Sequence, residues 1–324
     1  MPLQSCSTTN TEVKIFKEIK DSCDDRFKAL GINAESYLMP GGLGVKILGD
    51  TNQNLNTLHS LPIVECDLSC LDFFDYKFLN CEKVFSLILP KKFQDSFSSV
   101  SDFNLLQLKV EQAKSLDFDN LSLHNLEILE LPGSQIKNLG FCRDMPLKKL
   151  NVSNTQISDL TDLNNKAISE INLFKTQVKD LSGLNYEELE VVILSGTTIE
   201  SLTPLTVSKK LKKLEIRGTQ ITDLSPLSEL EIEELYLPGS KVSSIDCLAY
   251  LPIKKLNLIG LKIEDLTCLT TLPLQYLSVS PDILYKDDFH LLKNAQIPFL
   301  RGPGDPEDQT AEDFFEKYES EPSS

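Results

Sequence analysis

The sequence predicts an α/β solenoid, a stack of short parallel strands joined by tight turns, and three observations point to it. The first is a repeat. With Leu126 as position 1, an apolar residue recurs every 21 or 22 residues, at Leu147, Ile168, Leu189, Leu211, Ile232, Ile253 and Leu274. A fixed period of this length marks a repeat architecture, in which one unit cannot bury its own apolar face and neighbours must stack. The second is the spacing L-x-x-L-x-L, as in Leu211, Leu214 and Ile216. There, apolar positions 4 and 6 alternate with outward positions 3, 5 and 7, the two-residue period of a strand. The third is a polar turn with Thr or Ser followed by I-x-x-L-x-x-L, as in Ile221, Leu224 and Leu227. That half-unit is too short for a long helix and suits a brief 3₁₀ turn.

The elements follow in order. Val13, Phe16, Ile19, Cys23, Phe27 and Leu30 recur at spacings of three and four, which predicts an amphipathic helix over residues 12–30. A terminal unit would otherwise expose its core, so residues 1–41 read as an N-terminal helical cap. Tyr37–Gly42 leads into the first strand, and Gly41-Gly42-Leu43-Gly44 reads as a turn, being too short for a phosphate loop. Counting backwards by the period places position 1 at Leu105, Val84, Ile63 and Gly42. Position 14 reads Leu55, Tyr76, Phe97, Phe118 and Leu139, the aromatic members forming an internal spine. Residues 42–301 are therefore one repeat array of about twelve units, with a last strand at Gln296–Leu300. Asp159, Asp180, Asp223 and Asp265 sit where an N-cap would start each short turn. One extra residue in the unit from Leu189 is expected near Ser208–Lys210. The pattern fades at Asp287 and His290, which hold slots occupied by leucines elsewhere. After Gly-Pro-Gly-Asp-Pro comes an acidic tail, residues 302–324, in which Thr310 and Asp313 suit a capping box before a short helix carrying Phe314, Phe315 and Tyr318.

Composition narrows the function. The 324 residues carry a formal charge of −16. That acidity argues against a nucleic-acid backbone or an anionic membrane as partner. The apolar runs are too short to cross a bilayer, so no membrane insertion is expected. Residues 1–20 lack a continuous apolar core, so no ordinary signal peptide is expected, although Leu3-Gln4-Ser5-Cys6 loosely resembles a lipoprotein cleavage box. Eight cysteines without paired spacing predict a reducing cytosol. Cys66, Cys70 and Cys81 lack a histidine at metal-ligand spacing, and Cys247 and Cys268 share a slot in adjacent units as a buried thiol pair. His59, His124 and His290 fall in separate units and form no nucleophilic set. The reading is a non-enzymatic protein with no cofactor and no metal.

Charged pairs Lys148-Lys149, Lys212-Lys213 and Lys254-Lys255 share positions 2 and 3 with Glu233-Glu234, and also with Glu170 and Glu190. Alternating signs on neighbouring strands predict a structural ladder that favours the register. Apolar residues in outward slots point instead to a partner: Ile88, Ile128, Phe174, Val191, Ile193, Tyr236, Ile259 and Tyr276. Phe174, Val191 and Ile193 come from adjacent units and are expected to form one patch, extended by Arg217 and Tyr236. The predicted partner-binding set is Ile128, Phe174, Val191, Ile193, Arg217, Tyr236, Ile259 and Tyr276.

The units Leu211–Glu231 and Leu147–Ala167 resemble the short leucine-rich repeats of bacterial internalin-like proteins. They are still more similar to repeats attached to some bacterial serine/threonine kinases, although no kinase motif is present. The resemblance is strong from about residue 126 to 273. It implies a right-handed leucine-rich repeat solenoid with a concave parallel β-sheet and a convex side of short 3₁₀ turns. It also implies recognition of a protein on the concave face. Internalin-type repeats usually carry Asn at the turn. Here Thr155, Thr176, Thr197 and Thr219, with Ser134 and Ser240, take that slot, and their hydroxyls are expected to bond the neighbouring turn's backbone. The function read from this is a monomeric adaptor or scaffold that binds a protein. Two alternatives stay open: a secreted effector or surface adhesin binding a host protein, and a regulatory subunit of a separate enzyme.

Overall fold

The computed structural model describes residues 10–48, 61–71, 82–90, 100, 102–114, 121, 123–163 and 167–319. Leu55, His59, Tyr76, Cys81, Phe97 and Phe118 lie outside them, so the aromatic spine is not among the described residues. The fold is a leucine-rich repeat solenoid. Its residues fall into two compact units, 1–135 with 140–147, and 136–139 with 148–324.

The first unit opens with α1 (Asn10–Ala29). Cys23 and Phe27 bury its inner stripe, and Gly31, at φ 63°, ends it. The Gly31 and Ile32 amides donate to the carbonyls of Lys28 and Phe27, a Schellman closure that needs a left-handed residue. Leu30 departs from the predicted stripe and is exposed, because the chain turns at Gly31 and Ile32 takes the buried place. An antiparallel strand that the repeat pattern does not show, β1 (Ala34–Met39), pairs with β2 (Gly42–Ile47) and covers the first edge. Gly44 is required there: a Cβ would stand 2.1 Å from the Tyr37 ring that crosses it. The Tyr37 hydroxyl donates to Glu65, which also accepts from Ser86 Oγ at 2.7 Å. β3 (Ile63–Asp67), β4 (Ser86–Ile88), β5 (Gln107–Lys109) and β6 (Ile128–Glu130) continue from β2 in parallel.

The second unit carries β7 (Lys149–Asn151), β8 (Glu170–Asn172), β9 (Val191–Ile193), β10 (Lys213–Glu215), β11 (Glu234–Tyr236), β12 (Lys255–Asn257), β13 (Tyr276–Ser278) and β14 (Phe299–Arg301), each parallel to the next. The inward columns are buried as the spacing predicts. In the unit from Leu211, the side chains of Leu211, Leu214, Ile216, Ile221, Leu224 and Leu227 are all core. Opposite the strands run 3₁₀ turns such as Thr161–Leu163, Ser225–Leu227 and Asp246–Leu248. The predicted acidic residues act one place earlier than N-caps: Leu224 and Leu266 hold that position, while Asp159, Asp180, Asp223 and Asp265 accept from the amide two residues on, at 2.7–2.8 Å. The extra residue of the unit from Leu189 is taken up after the Thr203–Val207 turn, at the predicted Ser208–Lys210.

Two details of the turns were not legible in the repeat pattern. Position 8 is left-handed in the six repeats from Leu147, with φ between 53° and 76° at Asn154, Lys175, Gly196, Gly218, Gly239 and Gly260. That conformation aims its amide sideways: Asn154, Lys175, Gly196 and Gly218 donate to the position 7 carbonyls of Phe174, Ser195, Arg217 and Pro238 in the next repeat, at 2.7–2.9 Å. The threonine hydroxyls correct an expectation. Thr155, Thr176, Thr197 and Thr219 donate to the carbonyl three residues back in their own turn, at 2.6–2.8 Å. Ser134, in the first unit, does bond its neighbour, accepting from the Ala113 amide at 3.0 Å.

The far end is a cap built by the tail. The repeat does not fade at Asp287 and His290; it shifts phase. A helix, α2 (Lys286–Asn294), replaces the last 3₁₀ turn, exposing both residues and burying Leu292 instead. α3 (Ala311–Tyr318) has the predicted Thr310–Asp313 capping box and drives Phe314 into the core against Phe289 and Tyr318. Asp305 holds this segment. Its side chain is only 2% exposed and accepts from Lys317 Nζ and the Gly302 amide, both at 2.6 Å, and from Gln309 and Tyr318. Among the described residues no helix is long and apolar enough to cross a membrane.

Leu214→Ala removes buried methyls from mid-array and should cost about 2–5 kcal/mol, read as a lower denaturant midpoint. Burial of the Asp305 carboxyl pushes its pKa up, but the bonds from Lys317, Gly302 and Tyr318 outweigh this and hold it below the usual range. A depressed folded pKa contributes stability that is present above the unfolded value of about 3.9 and is lost as pH falls through the folded value. Asp305→Asn should therefore lower the melting temperature at neutral pH, with the gap to wild type closing as the pH falls below about 4. A gap that stays constant down to about pH 2 would mean that the carboxylate charge does not hold the tail.

Candidate functional site

The strand face of the second unit follows from the same alternation that builds its core. Position 4 points in, so positions 3 and 5 point out, and parallel pairing sets like positions side by side. The third position reads Lys149, Glu170, Val191, Lys213, Glu234, Lys255, Tyr276 and Phe299 across β7 to β14. The predicted charge ladder is present in this register, with Lys213 beside Glu234 and Glu234 beside Lys255. Lys149–Glu170 closes at 2.5 Å, Lys255–Glu234 at 2.9 Å and Lys254–Glu233 at 2.6 Å. Lys213 instead pairs with Glu215 on its own strand, at 3.0 Å.

The predicted partner-binding residues are distributed as follows. Val191 lies between Glu170 and Lys213, and Ile193 between Asn172 and Glu215. Phe174 follows β8 by two residues, its amide donating to Asn172 Oδ1 at 3.0 Å and its ring lying 5.0 Å below Lys175 Nζ. All three are half-buried rather than exposed. Ile259 is half-buried at a turn. Ile128 and Ile88 belong to the first unit and are half-buried on β6 and β4.

Two aromatic groups are brought together. The Arg217 guanidinium lies 4.8 Å from the Tyr236 ring centroid, with Lys213 Nζ at 5.4 Å. Burial, and next the Glu234 charge, push the Tyr236 phenol up to about 12, so it remains a neutral donor, bonded to Glu234 at 3.1 Å. Tyr276, 37% exposed, stacks on Phe299 with ring centroids 4.7 Å apart and planes 9° from parallel. These rings line a cleft of about 380 Å³ over the ends of β11 to β14, together with Asn257, Ser278 and Arg301. Glu307 and Asp308 of the folded tail form its wall.

Phe299, Arg301, Glu307 and Asp308 were not among the residues read from sequence. A signal for the first two exists. Ile297-x-x-Leu300 repeats Leu274-x-x-Leu277 with two residues inserted, which puts Phe299 and Arg301 in positions 3 and 5. Glu307 and Asp308 carry no periodic signal. Chemically the face offers rings, cations and amides for contact. Among the described residues, no group of three His, Cys, Asp or Glu is placed to hold a metal. Cys66 and Cys268 are buried thiols whose pKa is pushed up by burial, with Cys247 partly buried beside Cys268.

No protein-family model matches the chain, and no curated protein matches it. Solved structures do. An internalin of Listeria monocytogenes is 18% identical, covering 80% of this chain and 79% of its own, with a TM-score of 0.52. A leucine-rich repeat protein of Leptospira interrogans is 16% identical over 78% of this chain and 70% of its own, with a TM-score of 0.56. Internalin C2 of Listeria monocytogenes is 27% identical over 52% of this chain and 76% of its own, with a TM-score of 0.47. The repeat spacing, the parallel register of its strands and these structural likenesses together make the chain a leucine-rich repeat protein in fold.

Proposed function

We propose that the chain is a non-enzymatic adaptor that binds a partner protein on its strand face, working as a monomer in a reducing compartment. One observation carries this reading. The outward positions of β9 to β14 hold Val191, Ile193, Tyr236, Tyr276 and Phe299, with Arg217 stacked on Tyr236, although the core is already filled by positions 4 and 6. Folding does not require these side chains, whereas aromatic residues and Arg are the types that dominate interface energetics. Phe174 and Ile259 extend the surface, and Ile128 offers a contact on the first unit. The ion-paired lysines between them set register and contribute little binding energy of their own.

The test is affinity purification from the native cell with the wild type and a Phe174→Ser/Ile193→Ser variant. The expected outcome is loss of specifically captured proteins in the variant. Because both side chains are half-buried, a small drop in melting temperature is expected, well short of that of Leu214→Ala. Capture of the same proteins by this variant and by a Tyr236→Ala/Tyr276→Ala variant, both folded, would place recognition off the strand face.

A further inference from the structure

The cleft over β11 to β14 holds unmatched charges of both signs, one basic and two acidic. On its floor, Arg301 donates from Nε to Ser278 Oγ at 2.9 Å, which orients the guanidinium. Cations at positions 3 and 7 elsewhere on the strand face of the second unit each have a carboxylate: Lys149 has Glu170, Lys213 and Arg217 share Glu215, and Lys255 has Glu234. Arg301 has none among the described residues, so the terminal nitrogens of its fork are unused. On the wall, Glu307 and Asp308 are exposed and likewise have no hydrogen bond or ion pair among the described residues. They are held in place all the same. Asp305 anchors the chain on one side, and the Thr310 cap and the Ala311–Pro298 backbone bond anchor it on the other. Glu307 is one of the charges that raise the Lys255 pKa, after the Glu234 bond, so its field reaches into the cleft. The stacked Tyr276–Phe299 pair lines the same cleft as these charges.

We infer that this cleft receives a peptide segment of the partner protein in which an apolar or aromatic residue is flanked by an acidic side chain on one side and a basic one on the other. The inference rests on the strand-face reading and names what that face selects. The acidic side chain meets the Arg301 fork, where two parallel N–H···O bonds give direction as well as strength. The apolar residue covers the Tyr276–Phe299 rings. The basic side chain meets Glu307 and Asp308. A wholly acidic segment is rejected by the wall, and a wholly basic one by Arg301 and Lys255, so the arrangement selects by repulsion as much as by attraction.

The experiment is selection of short, random displayed peptides on the full chain, followed by fluorescence-polarisation titration of the enriched peptides. Wild type is compared with Arg301→Gln, Arg301→Glu, Glu307→Gln/Asp308→Asn and Phe174→Ser/Ile193→Ser. The wall variant alters exposed side chains that make no hydrogen bond or ion pair among the described residues, so it tests the charges without loosening the fold. The inference expects enriched peptides of mixed charge around an apolar residue. It expects Kd to weaken roughly tenfold or more in Arg301→Gln. The basic preference should fall in the wall variant, and Arg301→Glu should select a basic residue in place of the acidic one. Peptides lacking the paired charges, or no enriched peptide at all, overturn it. Binding lost in Phe174→Ser/Ile193→Ser but unchanged in Arg301→Gln also overturns it, while leaving the broader strand-face reading standing.

Discussion

Lateral contact between repeats is the constraint on which the rest of this protein depends. A single unit has six or so leucine-type side chains and no second layer of its own to bury them against, so only its neighbours complete the core. The same neighbours complete its backbone. Amides at the strand entrances and turns donate to carbonyls one repeat away, as Lys212 does to Glu190, Glu233 to Lys212 and Lys254 to Glu233. Packing and hydrogen bonding thus share one axis, and any residue that fails to serve that axis has no counterpart in the next unit.

The turn follows from this demand. A left-handed residue at position 8 turns its N–H toward the next repeat, which is why glycine holds the place in four successive units from Gly196. Asn154 tolerates the conformation better than most side chains, and Lys175 adopts it with its ammonium over the Phe174 ring. The following threonine closes its own turn rather than reaching sideways, because the lateral bond has already been made by the position 8 amide. Ends are where the axis stops, and each is closed differently. β1 and α1 cover one edge with an antiparallel strand and a buried helix stripe, whereas the tail folds Phe314 and α3 over the other.

The proposed binding surface is what the axis leaves free. Outward positions are exempt from the core's demand for leucine, so several carry paired charges that reinforce the register. Where they carry rings instead, as at Tyr236, Tyr276 and Phe299, the rings stack across strands or under a cation rather than entering the core. The acidic tail changes the character of this face locally. By folding back under the grip of Asp305 it adds a wall to strands that would otherwise present an open sheet, and an open sheet becomes a cleft.

The sequence by itself determined the repeat length, the inward columns, the strand phase and the capping box of the last helix. All of these are local or periodic, and burial enforces them residue by residue: Leu214 and Leu227 could be placed inside from spacing alone. It also pointed to Arg217, Tyr236 and Tyr276 as outward residues, since a two-residue alternation names the face as well as the core. Only the tertiary structure decided how those residues meet. The antiparallel β1, the two-residue phase shift at α2, the stacking of Tyr276 on Phe299 and the sharing of one cleft by Arg301, Glu307 and Asp308 join residues that no period relates. Outward side chains are not disciplined by packing, so their positions in sequence carry no record of their neighbours in space.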